Sequence, residues 1–160
     1  MNILYKKIDN KLNYWKYWEK DSKTGYIHWG EIGTKGQYKE VKSGIFNNYK
    51  NKIEKERERK LNEGYSEFDE NKLEFLEIEY LINGLGTMEE LDKRHRLENE
   101  MDQILSWNGL GGSNGGSIGS GTMEVGCFVV DYEIAKKVIE ENLKNTEFEN
   151  YSRIFRMNEK

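Results

Sequence analysis

The 160-residue chain contains no proline, one cysteine and two histidines. With abundant Asn, Lys, Glu and Ile, the missing proline reads as a bias of the encoding genome and carries no functional information. A single cysteine excludes an intrachain disulfide and points to a reducing cytoplasm. No apolar run approaches the length needed to cross a bilayer, so no membrane role is expected. The first residues, Met1 to Lys7, show no signal-peptide apolar region. Two histidines and one cysteine at these spacings make no recognisable zinc site. There is no nucleophile–base constellation, redox motif or nucleotide fingerprint, so the chain is expected to be non-enzymatic and to hold no cofactor and no metal.

Aromatic residues are plentiful: four Trp, ten Tyr and six Phe. Disordered chains lack them, so a folded, soluble protein with aromatic cores is expected. Charge is divided along the chain. Residues 1–65 carry 15 Lys and Arg against 9 Asp and Glu, a net +6, and residues 66–160 carry 10 against 20, a net −10. A basic half followed by an acidic half predicts two units with different surfaces. The length allows one domain or two small ones. The boundaries drawn are a domain over 1–65, a polar linker over 66–72 and a second domain over 73–160.

In the first half, 3–8, 14–19, 26–31 and 38–42 read as strands of an antiparallel meander. Asp21 to Gly25 and Gly33 to Gly36 read as turns. A lysine-rich helix is predicted from about Gly44 to Asn62. Phe46, Tyr49, Ile53 and Leu61 lie on its apolar face, and Lys52, Glu56 and Lys60 are spaced for self-pairing. Gly64 sits where a helix C-terminal glycine belongs.

The run Trp29-Gly30-Glu31-Ile32-Gly33-Thr34-Lys35-Gly36-Gln37 stands between two of these strands. It puts an aromatic, three glycines and a lysine into one short loop. The run resembles the signature of the WGR domain, named for Trp-Gly-Arg. The resemblance covers residues 1–65: strands, signature loop, a further strand, a lysine-rich helix and a closing Gly64-Tyr65. It implies DNA binding, near ends or breaks, with the tryptophan packed on a sugar. Trp29 would stack, Gly30 and Gly33 would allow close backbone approach, and Lys35, Gln37 and Lys39 would contact phosphate. Lys16, Lys20, Lys23 and Lys42 lie nearby. The bland alternatives stand beside this: Trp29 as core, and the lysines as a solvated face. Glu31 occupies the family's arginine position. That departure argues against a polymerase-like relay between domains. It leaves Glu31 to repel a nearby phosphate, or to pair with Lys35 or with a basic protein partner.

In the second half, Leu76, Ile78, Tyr80 and Ile82 alternate with Glu77 and Glu79, the period of a half-buried strand. Thr87 and Glu90 form a capping box for a helix to about Trp107, with Leu97, Met101, Ile104 and Leu105 as its stripe. Residues 109–121 are read as a glycine-rich loop or connector. They follow a helix, lead into a strand and hold no Lys, unlike a phosphate loop. Strand 123–130, with Cys127 as a buried thiol, precedes a helix capped by Asp131. Tyr151 to Met157 is a last strand. The fold class is therefore α+β: a WGR-like antiparallel sheet with one helix, then a small ferredoxin-like α/β sandwich.

Two functions follow. The first is a nucleic-acid-binding module, for DNA ahead of RNA, coupled to an acidic protein-interaction domain using Glu77 and Glu79. The second is an inhibitor, immunity-type or anti-defence factor whose acidic half blocks a basic nucleic-acid-handling enzyme. Oligomeric state is not legible.

Overall fold

A computed structural model describes residues 3–157. The outer ends of both expected domains, residues 1–2 and 158–160, lie outside them. The chain is α+β, with two four-stranded antiparallel sheets and three α-helices, and divides at Asp69/Glu70 into two units.

The first unit is a meander of β1 (Ile3–Ile8), β2 (Lys11–Asp21), β3 (Thr24–Glu31) and β4 (Gln37–Lys42), in that spatial order. Asp9 and Asn10 both take positive φ, as a two-residue hairpin turn with the right twist requires. Alternation then sorts the side chains. Leu4, Trp15 and Ile27 pack beneath α1 (Tyr49–Asn62), which contributes Tyr49 and Ile53. A side chain at Gly25 would meet Ile53 Cδ1 at 2.8 Å, so this glycine lets α1 close on β3.

Helix α1 starts later than the sequence predicts. Asn48 Oδ1 accepts from Lys50 N, and Ser43 Oγ accepts from Tyr49 N. These caps fix the start, and Phe46 lies in the preceding loop, 97% exposed, rather than on the apolar face. The predicted self-pairs also differ: Glu56 binds Lys39 and Arg59, and Lys60 binds Glu63. At the other end Gly64 takes φ 89°, and Tyr65 N–H closes on the Lys60 carbonyl. The chain then returns to the edge of β1, where Tyr5 and Ser66 exchange backbone hydrogen bonds and Phe68 meets the Tyr5 ring edge-on. The start of the expected 66–72 linker therefore belongs to the first unit.

The second unit runs β5 (Glu74–Leu81), α2 (Met88–Trp107), β6 (Gly111–Gly119), β7 (Thr122–Val129), α3 (Tyr132–Leu143) and β8 (Arg153–Arg156). Its strand order is β6-β7-β5-β8, all antiparallel. That is the ferredoxin-like split β-α-β arrangement. Thr87 and Glu90 form the predicted capping box, and Asp131 Oδ1 accepts from Ile134 N at the start of α3. Leu97, Met101, Ile104 and Leu105 are buried, as are Leu76, Ile78 and Tyr80. Cys127 is also buried, and loss of water contact pushes its thiol up to about 12.

The glycine-rich stretch departs furthest from the sequence expectation. Residues 109–121 are not a loop: Gly111–Gly119 form β6, paired with β7. Strand pairing uses backbone groups, and at Gly111 and Gly116 the backbones approach too closely for a side chain. A Cβ at Gly116 would lie 2.1 Å from the Glu124 carbonyl oxygen. The register shifts between Ser113 and Gly116, a bulge that glycine accommodates.

Candidate nucleic-acid interface

Residues 29–37 leave β3, cross a five-residue loop and enter β4, with Trp29 paired to Gln37 across the strands. Three contacts fix the loop. Ile32 is buried, and its N–H donates to the Leu12 carbonyl at 3.0 Å. Thr34 Oγ donates to the Glu31 carbonyl at 2.7 Å. His28, fully buried, reaches the Lys35 carbonyl with Nε2 at 2.8 Å. A carbonyl only accepts, so Nε2 carries the proton. Tyr14 Oη lies 3.0 Å from the same nitrogen.

The glycines serve this internal packing. Gly33 and Gly36 take positive φ, 77° and 59°. A Cβ on Gly30 would lie 2.7 Å from Gly36 Cα. The close approach at Gly30 is thus within the loop itself. An open cleft of about 470 Å3 results, lined by Trp29, Gly30, Thr34, Gly36 and Gln37. Five residues of one nine-residue run share one concavity.

Trp29 is half-buried and packs against the Leu4, Trp15, Ile27, Tyr49 and Ile53 cluster. It both supports the core and borders the cleft. Lys39 Nζ lies 5.8 Å from its ring centroid. That ammonium is also held by both Glu56 carboxylate oxygens at 2.8–2.9 Å. Lys35 is exposed, and among the described residues its ammonium makes no ion pair. Glu31 pairs with Lys11 at 2.9 Å, so the charge at the departing position is neutralised by β2 and not by Lys35.

The wider basic field is thinner than expected. Lys20 and Lys42 both bind Glu40. Lys16 is 4% exposed and lies 5.5 Å from the Trp18 ring centroid, on the sheet face of Tyr14 and His28. Burial draws its ammonium down to about 8. Burial is also the main cause that lowers the His28 pKa, with Lys16 adding to it and the Lys35 carbonyl opposing it. Sequence reasoning missed His28, Tyr14, Thr34 and Lys11. The period-two sharing of one face by Tyr14, Lys16 and His28 was the available signal.

These shifts set a pH dependence. The folded chain resists protonating His28, whereas the unfolded chain takes that proton below about pH 6.5, so stability falls as pH drops through that value. Between about pH 8 and 10 the unfolded chain holds the Lys16 proton that the folded chain has lost, so stability rises with pH. Urea midpoints of the first unit at pH 5.5, 7 and 9.5 are expected to increase in that order, whereas the raised thiol of Cys127 acts in the opposite direction on the second unit above about pH 9. Lys16→Met should flatten the alkaline rise.

On the second unit, Glu79 is 8% exposed. Its carboxylate accepts from Arg153 at 2.7 and 3.0 Å and from Ser152 Oγ at 2.8 Å. Arg153 holds its pKa below the usual range. Glu79 is therefore committed within the fold. Glu77 is different: it is half-buried and has no ion pair among the described residues. Burial first, then Glu124 and Glu79, push its pKa up. Glu124 accepts from Ser117 Oγ.

Among the described residues, no helix is long and apolar enough to cross a membrane, and no group of three or more His, Cys, Asp or Glu is placed to hold a metal. No family model matches this chain, and no curated protein or solved structure does either.

Proposed function

We propose that the first unit is a non-enzymatic nucleic-acid-binding module and the second an acidic protein-interaction domain. The observation that carries this reading is the cleft formed by Trp29, Gly30, Thr34, Gly36 and Gln37, with Lys35, unpaired among the described residues, beside it. A half-exposed indole offers a face to a sugar or base, and this tolerates any sequence. Lys35 contacts phosphate, and each such contact releases counterions. Gln37 adds a hydrogen bond. Lys39 acts by holding Trp29 and is free for phosphate only if Glu56 releases it. DNA ends or nicks, rather than RNA, are the favoured target through the WGR resemblance. A reducing cytoplasm fits the lone buried thiol.

The test is fluorescence anisotropy of nicked and blunt duplexes, single-stranded DNA and RNA, at two salt concentrations. Micromolar binding that weakens steeply with salt is expected. Lys35→Glu should reduce affinity by about tenfold and lower the salt slope by about one to two. Binding unchanged by Lys35→Glu would remove the cleft from the account.

A second reading is favoured by a specific observation. Glu31, Glu40 and Glu56 neutralise Lys11, Lys20, Lys42 and Lys39. A face so thoroughly self-paired suits a scaffold. Glu77, beside Glu124, would then meet a basic surface on a nucleic-acid-handling enzyme. Recovery of such an enzyme with the wild type but not with Glu77→Lys, together with no DNA binding, would select this reading.

A further inference from the structure

A second cleft, of about 220 Å3, opens between β2 and α1. It shares no residue with the 29–37 run. Its lining is Tyr17, Glu19, Tyr49, Lys50, Ile53 and Glu54. Two tyrosines and an isoleucine form the apolar part, and two carboxylates and one ammonium form the charged part. At its floor Tyr49 is 1% exposed, and its hydroxyl faces Glu19 and Lys50 but makes no hydrogen bond of normal geometry among the described residues. Buried hydroxyls are normally paired, because an unpaired one has lost its water without compensation.

The cleft already holds a cation of its own. Lys50 Nζ lies 2.6 Å from Glu19 Oε1 and 5.8 Å from the Tyr49 ring centroid. Both side chains of this ion pair are more than half exposed, 57% and 61%, so the pair is weakly held. Lys50 stands on a flexible stem and can swing to water. A carboxylate beside an aromatic face is the chemistry that binds ammonium and guanidinium groups.

We propose that this cleft binds a small organic cation, a guanidinium or ammonium head on a short aliphatic stem. The head replaces Lys50 Nζ against Glu19 and donates an N–H to the Tyr49 hydroxyl oxygen. Its stem lies along Tyr17 and Ile53. The volume suits a head group and a few carbons, well below a drug-sized ligand. The same chemistry can come from a free diamine-like molecule or from an arginine side chain of a protein partner.

The test is an NMR titration of the full chain with agmatine, with the peptide Gly-Arg-Gly, and with a neutral alcohol of matched stem. Shifts at Tyr17, Tyr49 and Ile53 are expected, with a Kd on the order of 1 mM for a ligand of so few atoms. Lys50→Met should tighten agmatine binding by about threefold, the scale of an exposed ion pair. Glu19→Gln should weaken it by about tenfold, the scale of a charged hydrogen bond. Tyr49→Phe should fold normally, because the hydroxyl makes no hydrogen bond of normal geometry, and should bind about fivefold more weakly. Tighter binding of Gly-Arg-Gly than of agmatine would assign the site to a protein side chain, and the reverse to a free cation. Absence of shifts with either cation in both wild type and Lys50→Met would overturn the proposal. So would equal affinity for the neutral alcohol, or equal agmatine affinity in Tyr49→Phe. DNA binding at the 29–37 cleft is read separately, so either proposal can fail alone.

Discussion

Gly36→Ala is expected to destabilise the first unit by about 2–4 kcal/mol and to dismantle the 29–37 cleft. Gly36 takes φ 59°, where an added Cβ is strained whatever space surrounds it. There is also no space. The new carbon would lie 2.3 Å from Tyr14 Oη, 2.5 Å from the Trp29 carbonyl oxygen and 3.0 Å from His28 Nε2. The Trp29 carbonyl is backbone within a paired strand. Tyr14 and His28 are fully buried, so neither can step aside. The loop must move, and the His28 hydrogen bond to the Lys35 carbonyl goes with it. Urea unfolding followed by tryptophan fluorescence reads this directly, because Trp15, Trp18 and Trp29 all lie in the first unit. A variant within about 0.5 kcal/mol of wild type would show that the loop is softer than described.

The second large effect concerns the glycine-rich strand. Gly116→Val is expected to cost about 3 kcal/mol or more and to unfold the second unit under mild urea. Its Cβ would fall 2.1 Å from the Glu124 carbonyl oxygen, an atom on the neighbouring strand. Gly111 is similar, at 2.0 Å from the Phe128 carbonyl oxygen. Gly115 is the control. It takes φ 88°, but nothing lies within 4 Å of its Cβ position. Gly115→Asn should therefore cost only about 1 kcal/mol, the backbone part alone. A flexible connector would tolerate both substitutions equally. Amide hydrogen exchange across 111–119 gives the same answer: protection marks a strand and fast exchange a connector.

The contrast between these two glycine sets explains what was legible in the sequence. The meander was readable because strand-favouring aromatic runs such as Tyr14 to Trp18 are separated by turn residues at Asp21 to Gly25 and Gly33 to Gly36. The α2 stripe and the Thr87–Glu90 box were readable because they are local, period-driven signals. The β6 strand was not, because a glycine strand has no side-chain pattern. Its evidence is the tight backbone approach to β7, a tertiary fact. Phe46 misled for a related reason: its spacing suits α1, but Asn48 caps the helix after it. The 29–37 run was visible as a whole. The roles within it were divided by partners distant in sequence. Lys39 is claimed by Glu56 and Glu31 by Lys11, whereas Lys35 makes no ion pair among the described residues. Glu79 had the same fate through Arg153. Sequence alternation places a charge on a face but does not say which opposite charge arrives there.

The most direct measurement is NMR chemical-shift mapping of the full chain with a nicked DNA duplex at low salt. The largest shifts are expected on Trp29, Gly30, Thr34, Lys35, Gly36 and Gln37, with the Trp29 indole N–H among them. Raising the salt should reverse them. Shifts confined to other surfaces, or none at concentrations where anisotropy reports binding, would contradict the nucleic-acid-binding role of this cleft.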